Sequence, residues 1–119
     1  MKNAALTKGV AMALAKVDID KISERYHYKD EKPNGEQDSK LVACGQCQKN
    51  GNSYSELEYI FEHDLYPLIQ AGLIKQEQAI RALDKACKEL PVRKERTEFH
   101  QFLADTLGQA VGKATPKSK

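Results

Sequence analysis

Two cysteines separated by two residues, Cys44 and Cys47, are the side chains of this sequence best suited to chemistry. Cys-Gly-Gln-Cys at this spacing can hold a metal ion between two thiolates. A structural zinc site needs four ligands, so the others must come from elsewhere in the chain. The candidates by residue type are Cys87, His63, His100 and His27. Zinc is therefore the one cofactor that the sequence predicts.

The same pair is also open to redox chemistry, because a Cys-x-x-Cys at a helix N-terminus has a lowered thiol pKa and exchanges disulfides. Here the residues after Cys47 are typical of a turn, and no βαβ pattern surrounds the motif. A dithiol oxidoreductase that uses Cys44 and Cys47 is one alternative. Another alternative is that both cysteines are ordinary thiols in a loop. Cys87 lies on an apolar helix seam, where a cysteine packs as a small hydrophobic residue.

A second feature is an aromatic stripe formed by Tyr59, His63 and Tyr66, at spacings of four and three residues. It lies opposite the apolar side of the same predicted helix, which carries Leu57 and Phe61. Tyrosine is enriched at protein interfaces because it combines apolar area with a polar tip. The stripe is either covered by the cysteine loop or another helix, or it binds a partner, which could be a second copy of the chain.

A third feature is the basic stretch formed by Arg93, Lys94 and Arg96, which Glu95 dilutes. It is the candidate contact surface for nucleic acid, although charge at a turn between helices is usually solvated surface. Phosphate-cradling glycine loops, nucleophile elbows and metalloprotease helix motifs are absent from the sequence. The sequence therefore predicts a protein that is not an enzyme.

Helical periodicity surrounds these candidate sites on both sides. Val10, Leu14 and Val17 extend a row from Leu6, which indicates an amphipathic helix over residues 3–17. Residues 19–28 form either a second short helix or its continuation. Lys-Pro-Asn-Gly at 32–35 then breaks the pattern, and residues 29–54 are predicted to be a long loop with a small hairpin that turns at Asn50-Gly51.

The second half of the chain contains three further helical patterns. Ser55 and Glu58 form a capping box at the start of the first, inside which Pro67 predicts a kink or a restart, and Gly72 predicts its end. The second covers residues 76–90 and ends at Pro91, and the third covers residues 98–111. Residues 112–119 are predicted to be a disordered basic tail.

The composition is that of one ordinary globular domain of 119 residues, with 40% hydrophobic and 30% charged residues. The net charge of +2 is too small to indicate nucleic-acid binding by itself. No apolar run is long enough to cross a bilayer, and Lys8-Gly9 interrupts what would have to be the apolar core of a signal peptide. We therefore expect a cytoplasmic protein without membrane contact.

Together these patterns predict an all-α fold: a compact bundle of four to five helices over residues 1–111, with one loop or β-hairpin insertion that carries Cys44 and Cys47. The predicted function is a small bacterial or phage regulator or adaptor that binds another protein through a helical face, with zinc as a candidate stabiliser. A zinc-stabilised nucleic-acid-binding regulator and a dithiol oxidoreductase are the alternatives.

Overall fold

The computed structural model describes residues 7–31, 40–49 and 52–117 and consists mostly of helices, which confirms the helical part of the predicted fold. The helices are α1 (Lys8–Ser23), α2 (Tyr28–Glu31), α3 (Glu56–Ile60), α4 (Tyr66–Gln70), α5 (Gln76–Glu89) and α6 (Arg96–Leu107). A π-helical segment, Phe61–Leu65, joins α3 to α4. The strands are β1 (Leu41–Val42), β2 (Cys47–Lys49), β3 (Asn52–Tyr54) and β4 (Lys94–Glu95).

Helix α1 is one continuous helix capped by the Thr7 side chain, but its buried side is not the row that periodicity indicates. Its buried residues are Ala11, Ala15, Ile19, Ile22 and Ser23. Val10, Leu14 and Val17 lie on the opposite side and are about half exposed. The small side chains of Ala11 and Ala15 let α1 lie close to α3 and α5, while Val10, Leu14 and Val17 point outward. Leu6 lies outside the described residues.

The strands form two separate antiparallel pairs rather than one hairpin over residues 41–54. The hairpin is the pair β2–β3, in which Cys47 lies opposite Tyr54; its Asn50-Gly51 turn lies outside the described residues. Strand β1 pairs instead with β4, far along the chain, with Leu41 opposite Glu95. Cys44 therefore lies between two sheets, on the link from β1 to β2.

The helical stretch from residue 56 to 70 accommodates Pro67 through its π-helical segment. Ser55 caps the stretch, accepting a hydrogen bond from the Glu58 amide as the capping box predicts. Proline cannot donate a backbone hydrogen bond, and the wider π turn absorbs this loss without breaking the helical path. Helix α4 restarts at Tyr66, and Gly72 ends the stretch in the left-handed conformation, with φ of 77°.

Helices α5 and α6 pack against each other and complete the core. Helix α6 begins at Arg96 and ends at Gly108, which has φ of 68°, so Val111 belongs to the following turn. That turn closes through a bridge between Val111 and Ala114. Residues 112–117, predicted to be disordered, are described, and the amide of Lys117 donates to Asp105 on α6.

The core contains side chains from every large helix, and Phe61, Phe99, Leu57, Leu83 and Leu103 are among its fully buried members. Among the described residues, none of the helices combines the length and the apolar character that a bilayer crossing requires.

Candidate functional site

Cys44 forms a disulfide with Cys87 of α5, across a Cα–Cα distance of 6.1 Å. Both cysteines are buried, with exposed fractions of 0% and 3%. Cys47, three residues beyond Cys44, is partly buried and is not part of this disulfide. Cys87 is buried, as its place on the apolar seam predicts, but it is bonded to Cys44 rather than packed as a free cysteine. The Cys44–Cys47 disulfide of the oxidoreductase alternative is absent from this arrangement.

A buried carboxylate holds the bend that contains Cys44. Glu31 is 1% exposed and accepts hydrogen bonds from the backbone amides of Cys44 and Gly45, at 2.9 and 2.8 Å. Lys94, equally buried, donates to the same carboxylate at 2.9 Å and to the carbonyl of Val92 at 3.1 Å. Burying a charge is costly unless it is paired and hydrogen-bonded, and here both charges meet that condition. The bend is therefore fixed from one side by an ion pair.

A second carboxylate and a close backbone approach fix the other side of the bend. Glu56 accepts hydrogen bonds from the amide of Ala43 at 3.3 Å and from the guanidinium of Arg96 at 3.2 Å. Gly45 lies against the backbone around Tyr26, so that a Cβ there would come within 2.8 Å of the Tyr26 carbonyl oxygen. The bend is thus a rigid part of the core, held by side chains from α2, α3, α6 and β4.

The phenol of Tyr28 is close enough to Cys47 for the two groups to interact electrostatically. Burial, together with the charges of Glu56 and Cys47, raises the pKa of Tyr28 to about 12. The phenol therefore stays protonated over the range in which a thiol ionises, near pH ~8.5 for an ordinary cysteine.

Zinc binding through Cys44 needs a reduced protein, because zinc coordinates thiolates and not disulfide sulfurs. Within the described ranges, no group of three or more His, Cys, Asp or Glu side chains has the geometry of a metal site. His63 and His100 do not lie beside Cys44: His63 stacks on Tyr59, and His100 bonds to Asp64. The zinc prediction stays a prediction that concerns the reduced protein.

The predicted aromatic stripe divides into an exposed and a buried part. Tyr59 is 50% exposed, and its ring stacks on that of His63, with centroids 4.2 Å apart. Tyr66 is 8% exposed and lies 6.0 Å from the ammonium group of Lys8. The wider π turn between His63 and Tyr66 moves Tyr66 off the α-helical row, so the three side chains do not form one surface.

The predicted basic surface is also divided. Lys94 is fully buried in its ion pair with Glu31, and Arg96 bonds to Glu56 and to the carbonyl of Leu41 at 3.1 Å. Arg93 is exposed. A phosphate group could therefore reach Arg93 but not Lys94, which weakens the nucleic-acid alternative.

A cavity of about 500 Å³ lies beside the start of α6, lined by Asp64, Arg96, Thr97, His100, Gln101, Gly112, Lys113 and Ala114. Within it, His100 donates from Nδ1 to the carbonyl of Arg96 at 2.9 Å, and its Nε2 lies 2.8 Å from Asp64. The hydrogen bond with Asp64 raises the pKa of His100 above its usual value. With both nitrogens engaged, the imidazole has no free position from which to act as a general base, so it tethers the π-helical segment to α6.

One side of α1 carries an exposed row of apolar residues, which the helical periodicity of the sequence predicts to be buried. Val10, Leu14 and Val17 are 48%, 51% and 56% exposed, at successive spacings of four and three residues. Ala13 beside them and Lys21 one turn further are exposed as well. A helix that is apolar on two opposite sides is normally covered on both.

Sequence reasoning missed the residues that fix the cysteine bend, namely Glu31, Glu56 and the buried state of Lys94. Glu31 and Lys94 stand in charged stretches that look like solvated surface, and no local pattern marks them as buried. Gly45 carried a usable signal, since a glycine between two cysteines is typical of close backbone approach. The exposed row on α1 could have been suspected from the alternation of alanine and larger aliphatic residues along the helix.

These features define a mostly helical domain with a disulfide-linked bend, held by a buried ion pair, and a half-exposed apolar row on its first helix. Comparisons of this chain with protein-family models, curated proteins and solved structures give no match.

Proposed function

We propose that this protein is a small non-catalytic adaptor or regulator that binds an amphipathic helix of a partner protein along α1. The observation that carries the proposal is the row of half-exposed side chains Val10, Leu14 and Val17 on a helix whose opposite side is already buried. Scattered single apolar residues are normal on protein surfaces, but an aligned row on one helix is typical of an interaction site.

The geometry of the row favours a helix as the bound element. Residues four and three apart lie on one side of a helix and form a ridge that fits the groove of a second helix. Ala13, beside the ridge, lets a partner backbone approach closely. The row covers eight residues, about 12 Å of helix at 1.5 Å per residue, which two to three turns of a partner helix would cover.

The size and charge of the row favour a different protein over a second copy of the chain. A stable interface usually buries about 800 Å² on each partner, more than three half-exposed aliphatic side chains supply. Pairing two copies in parallel would also bring the exposed Lys21 of each helix together. A partner helix with an acidic residue near Lys21 would instead complement the row, so we expect a modest and reversible affinity.

The experiment is a selection of displayed helical peptides on the immobilised protein. We expect enrichment of sequences with apolar residues at spacings of three and four and with an acidic residue at one end. The selected peptides should lose binding to the Leu14→Asp variant and keep it with Leu73→Asp, the matched control. Leu73 is 52% exposed, close to the 51% of Leu14, but lies outside the row.

Two results would contradict the proposal. One is a set of selected peptides that bind Leu14→Asp and wild type equally. The other is a concentration-dependent dimer in sedimentation equilibrium that Leu14→Asp abolishes, because a second copy would then be what covers the row. Both variants change exposed positions, so their thermal unfolding midpoints should stay close to wild type.

A further inference from the structure

The three cysteines of this chain can form one disulfide at a time, and Cys44 has two possible bonding partners, Cys87 and Cys47. Cys44 is bonded to Cys87, and Cys47, a thiol outside this disulfide, follows Cys44 by three residues, across a bend. Cysteines at this spacing readily form a disulfide with each other. Cys44 can therefore pair with either neighbour, and the structure describes one of the two states.

Access from solvent differs between the sulfurs. A thiol that reduces a disulfide must approach one of its sulfur atoms directly, and access is one of the factors that set the rate. Cys44 and Cys87 are 0% and 3% exposed, so an external thiol cannot reach their bond in the folded protein. Cys47, at the start of β2, is only partly buried and is therefore the most solvent-accessible of the three cysteines.

Cys44 and Cys47 have different surroundings. The amide of Cys44 is fixed by the buried Glu31 carboxylate, and Gly45 packs on the backbone of Tyr26 and Tyr28. The polar phenol of Tyr28 interacts electrostatically with Cys47. The bend therefore holds Cys44 in place three residues before Cys47, the spacing at which two cysteines can bond to each other.

We propose that Cys47 is the attacking thiol of a built-in thiol–disulfide exchange that converts the buried Cys44–Cys87 bond into a solvent-accessible Cys44–Cys47 bond. The Cys47 thiolate attacks the sulfur of Cys44, the Cys44–Cys87 bond breaks, and Cys87 leaves as a thiolate that takes up the proton that Cys47 released. The reaction exchanges one disulfide for another, so it needs no oxidant or reductant.

The exchanged state would react with external thiols, including thiols on peptides. Such a thiol attacks the Cys47 sulfur, which releases Cys44 as a thiol and leaves a mixed disulfide on Cys47. The exchange also removes the covalent link between the cysteine bend and α5, while the Glu31–Lys94 pair continues to hold the bend. The inference does not depend on the function proposed for α1, and its test does not involve α1.

The test follows the native protein in dithiothreitol, quenched with an alkylating agent and digested with trypsin. Cys44 and Cys47 lie on one tryptic peptide, residues 41–49, whereas Cys87 lies on another, residues 86–88. The native bond therefore links two peptides, and the exchanged bond lies within one. We expect a transient species in which peptide 41–49 holds an internal disulfide and Cys87 is alkylated; its absence at all times would overturn the proposal.

Two variants give a second measurement. The Cys44–Cys87 bond of Cys47→Ser should be reduced at least about tenfold more slowly than in wild type under native conditions, since the intramolecular route is lost. Tyr28→Phe, which keeps the thiol but removes the polar hydroxyl that interacts with it electrostatically, should fall between the two. In denaturant all three proteins should be reduced at one rate. Equal rates for wild type and Cys47→Ser in native buffer would overturn the proposal, provided that their unfolding midpoints agree.

Discussion

A single buried ion pair, between Glu31 and Lys94, explains how a bend that contains two cysteines can be part of the core. The Glu31 carboxylate satisfies the amides of Cys44 and Gly45, and the Lys94 ammonium neutralises the carboxylate. Replacing both charges by apolar residues would leave two buried amides without an acceptor, which costs more than the ordinary loss of an ion pair. The pair therefore stabilises the backbone of the bend as well as each charge.

Lys94→Met should destabilise the protein by about 3–5 kcal/mol, because it leaves the Glu31 charge buried without its partner. Arg93→Met is the matched control: it removes the same charge from the neighbouring exposed position and should change stability by less than about 0.5 kcal/mol. Urea unfolding of the three proteins gives the comparison. A loss of less than about 1 kcal/mol for Lys94→Met would show that the pair is not buried as described.

Gly45→Ala should destabilise the protein by about 1–3 kcal/mol, the usual cost of an atom added to a packed site. The new Cβ would lie 2.8 Å from the Tyr26 carbonyl oxygen and 2.9 Å from the Tyr28 nitrogen, and both are backbone atoms that cannot rotate away. Gly9→Ala, in α1, is the control, because its Cβ would meet nothing within 4 Å. That change should be neutral or stabilising, since alanine favours helix over glycine. Equal unfolding midpoints for the two variants would refute the close approach at Gly45.

At the level of elements, the π-helical segment links the middle of the chain to α6. Pro67 makes the wider turn favourable, and Asp64, within that turn, reaches His100 of α6 at 2.8 Å. Gly112 completes the contact, because a Cβ there would come within 3.2 Å of the His100 ring. The segment and the turn after α6 are therefore joined through the His100 imidazole.

The contribution of this contact to stability should depend on pH. Because the pKa of His100 is raised in the folded state, its stabilisation is fully present below the unfolded value of about 6.5 and is lost as pH rises through the folded value. Asp64→Asn, which removes the main cause of the shift, should therefore differ most from wild type under mildly acidic conditions. Urea unfolding across this range measures the difference. A difference that grows with rising pH would contradict a raised pKa of His100 in the folded protein.

For the whole molecule, the disulfide closes a segment of 43 residues that contains the hairpin, the π-helical segment and most of α5. By loop-closure entropy such a link stabilises the folded state by about 4 kcal/mol. The paired variant Cys44→Ala with Cys87→Ala should therefore unfold at a clearly lower urea concentration than wild type. Cys47→Ser, which leaves the bond intact, is the control. Equal midpoints for wild type and the paired variant would show that the bond contributes nothing to stability.

Several parts of this arrangement could be predicted from the sequence because they depend on local chemistry. The Ser55 cap, the accommodation of Pro67 and the stop at Gly72 follow from backbone rules that hold within one or two turns. The helical class follows from the apolar periodicity of the second half of the chain.

The rest depends on contacts between residues far apart, which no local pattern reveals. The pairing of β1 with β4, the link from Cys44 to Cys87 and the burial of Lys94 each join positions more than forty residues apart. The α1 row was assigned to the core because larger aliphatic residues are usually buried. In this fold α3 and α5 pack closely against α1, and the side of α1 that carries the small alanines is the one buried against them.

Whether the α1 row is a binding surface can be measured by NMR, by adding one of the selected helical peptides to isotope-labelled protein. We expect the backbone amides that shift most to cluster at Val10, Ala13, Leu14, Val17 and Lys21. We also expect Leu14→Asp, but not Leu73→Asp, to remove these shifts. Shifts centred on Tyr59 and His63 or on the cavity beside His100, with α1 unchanged, would contradict it.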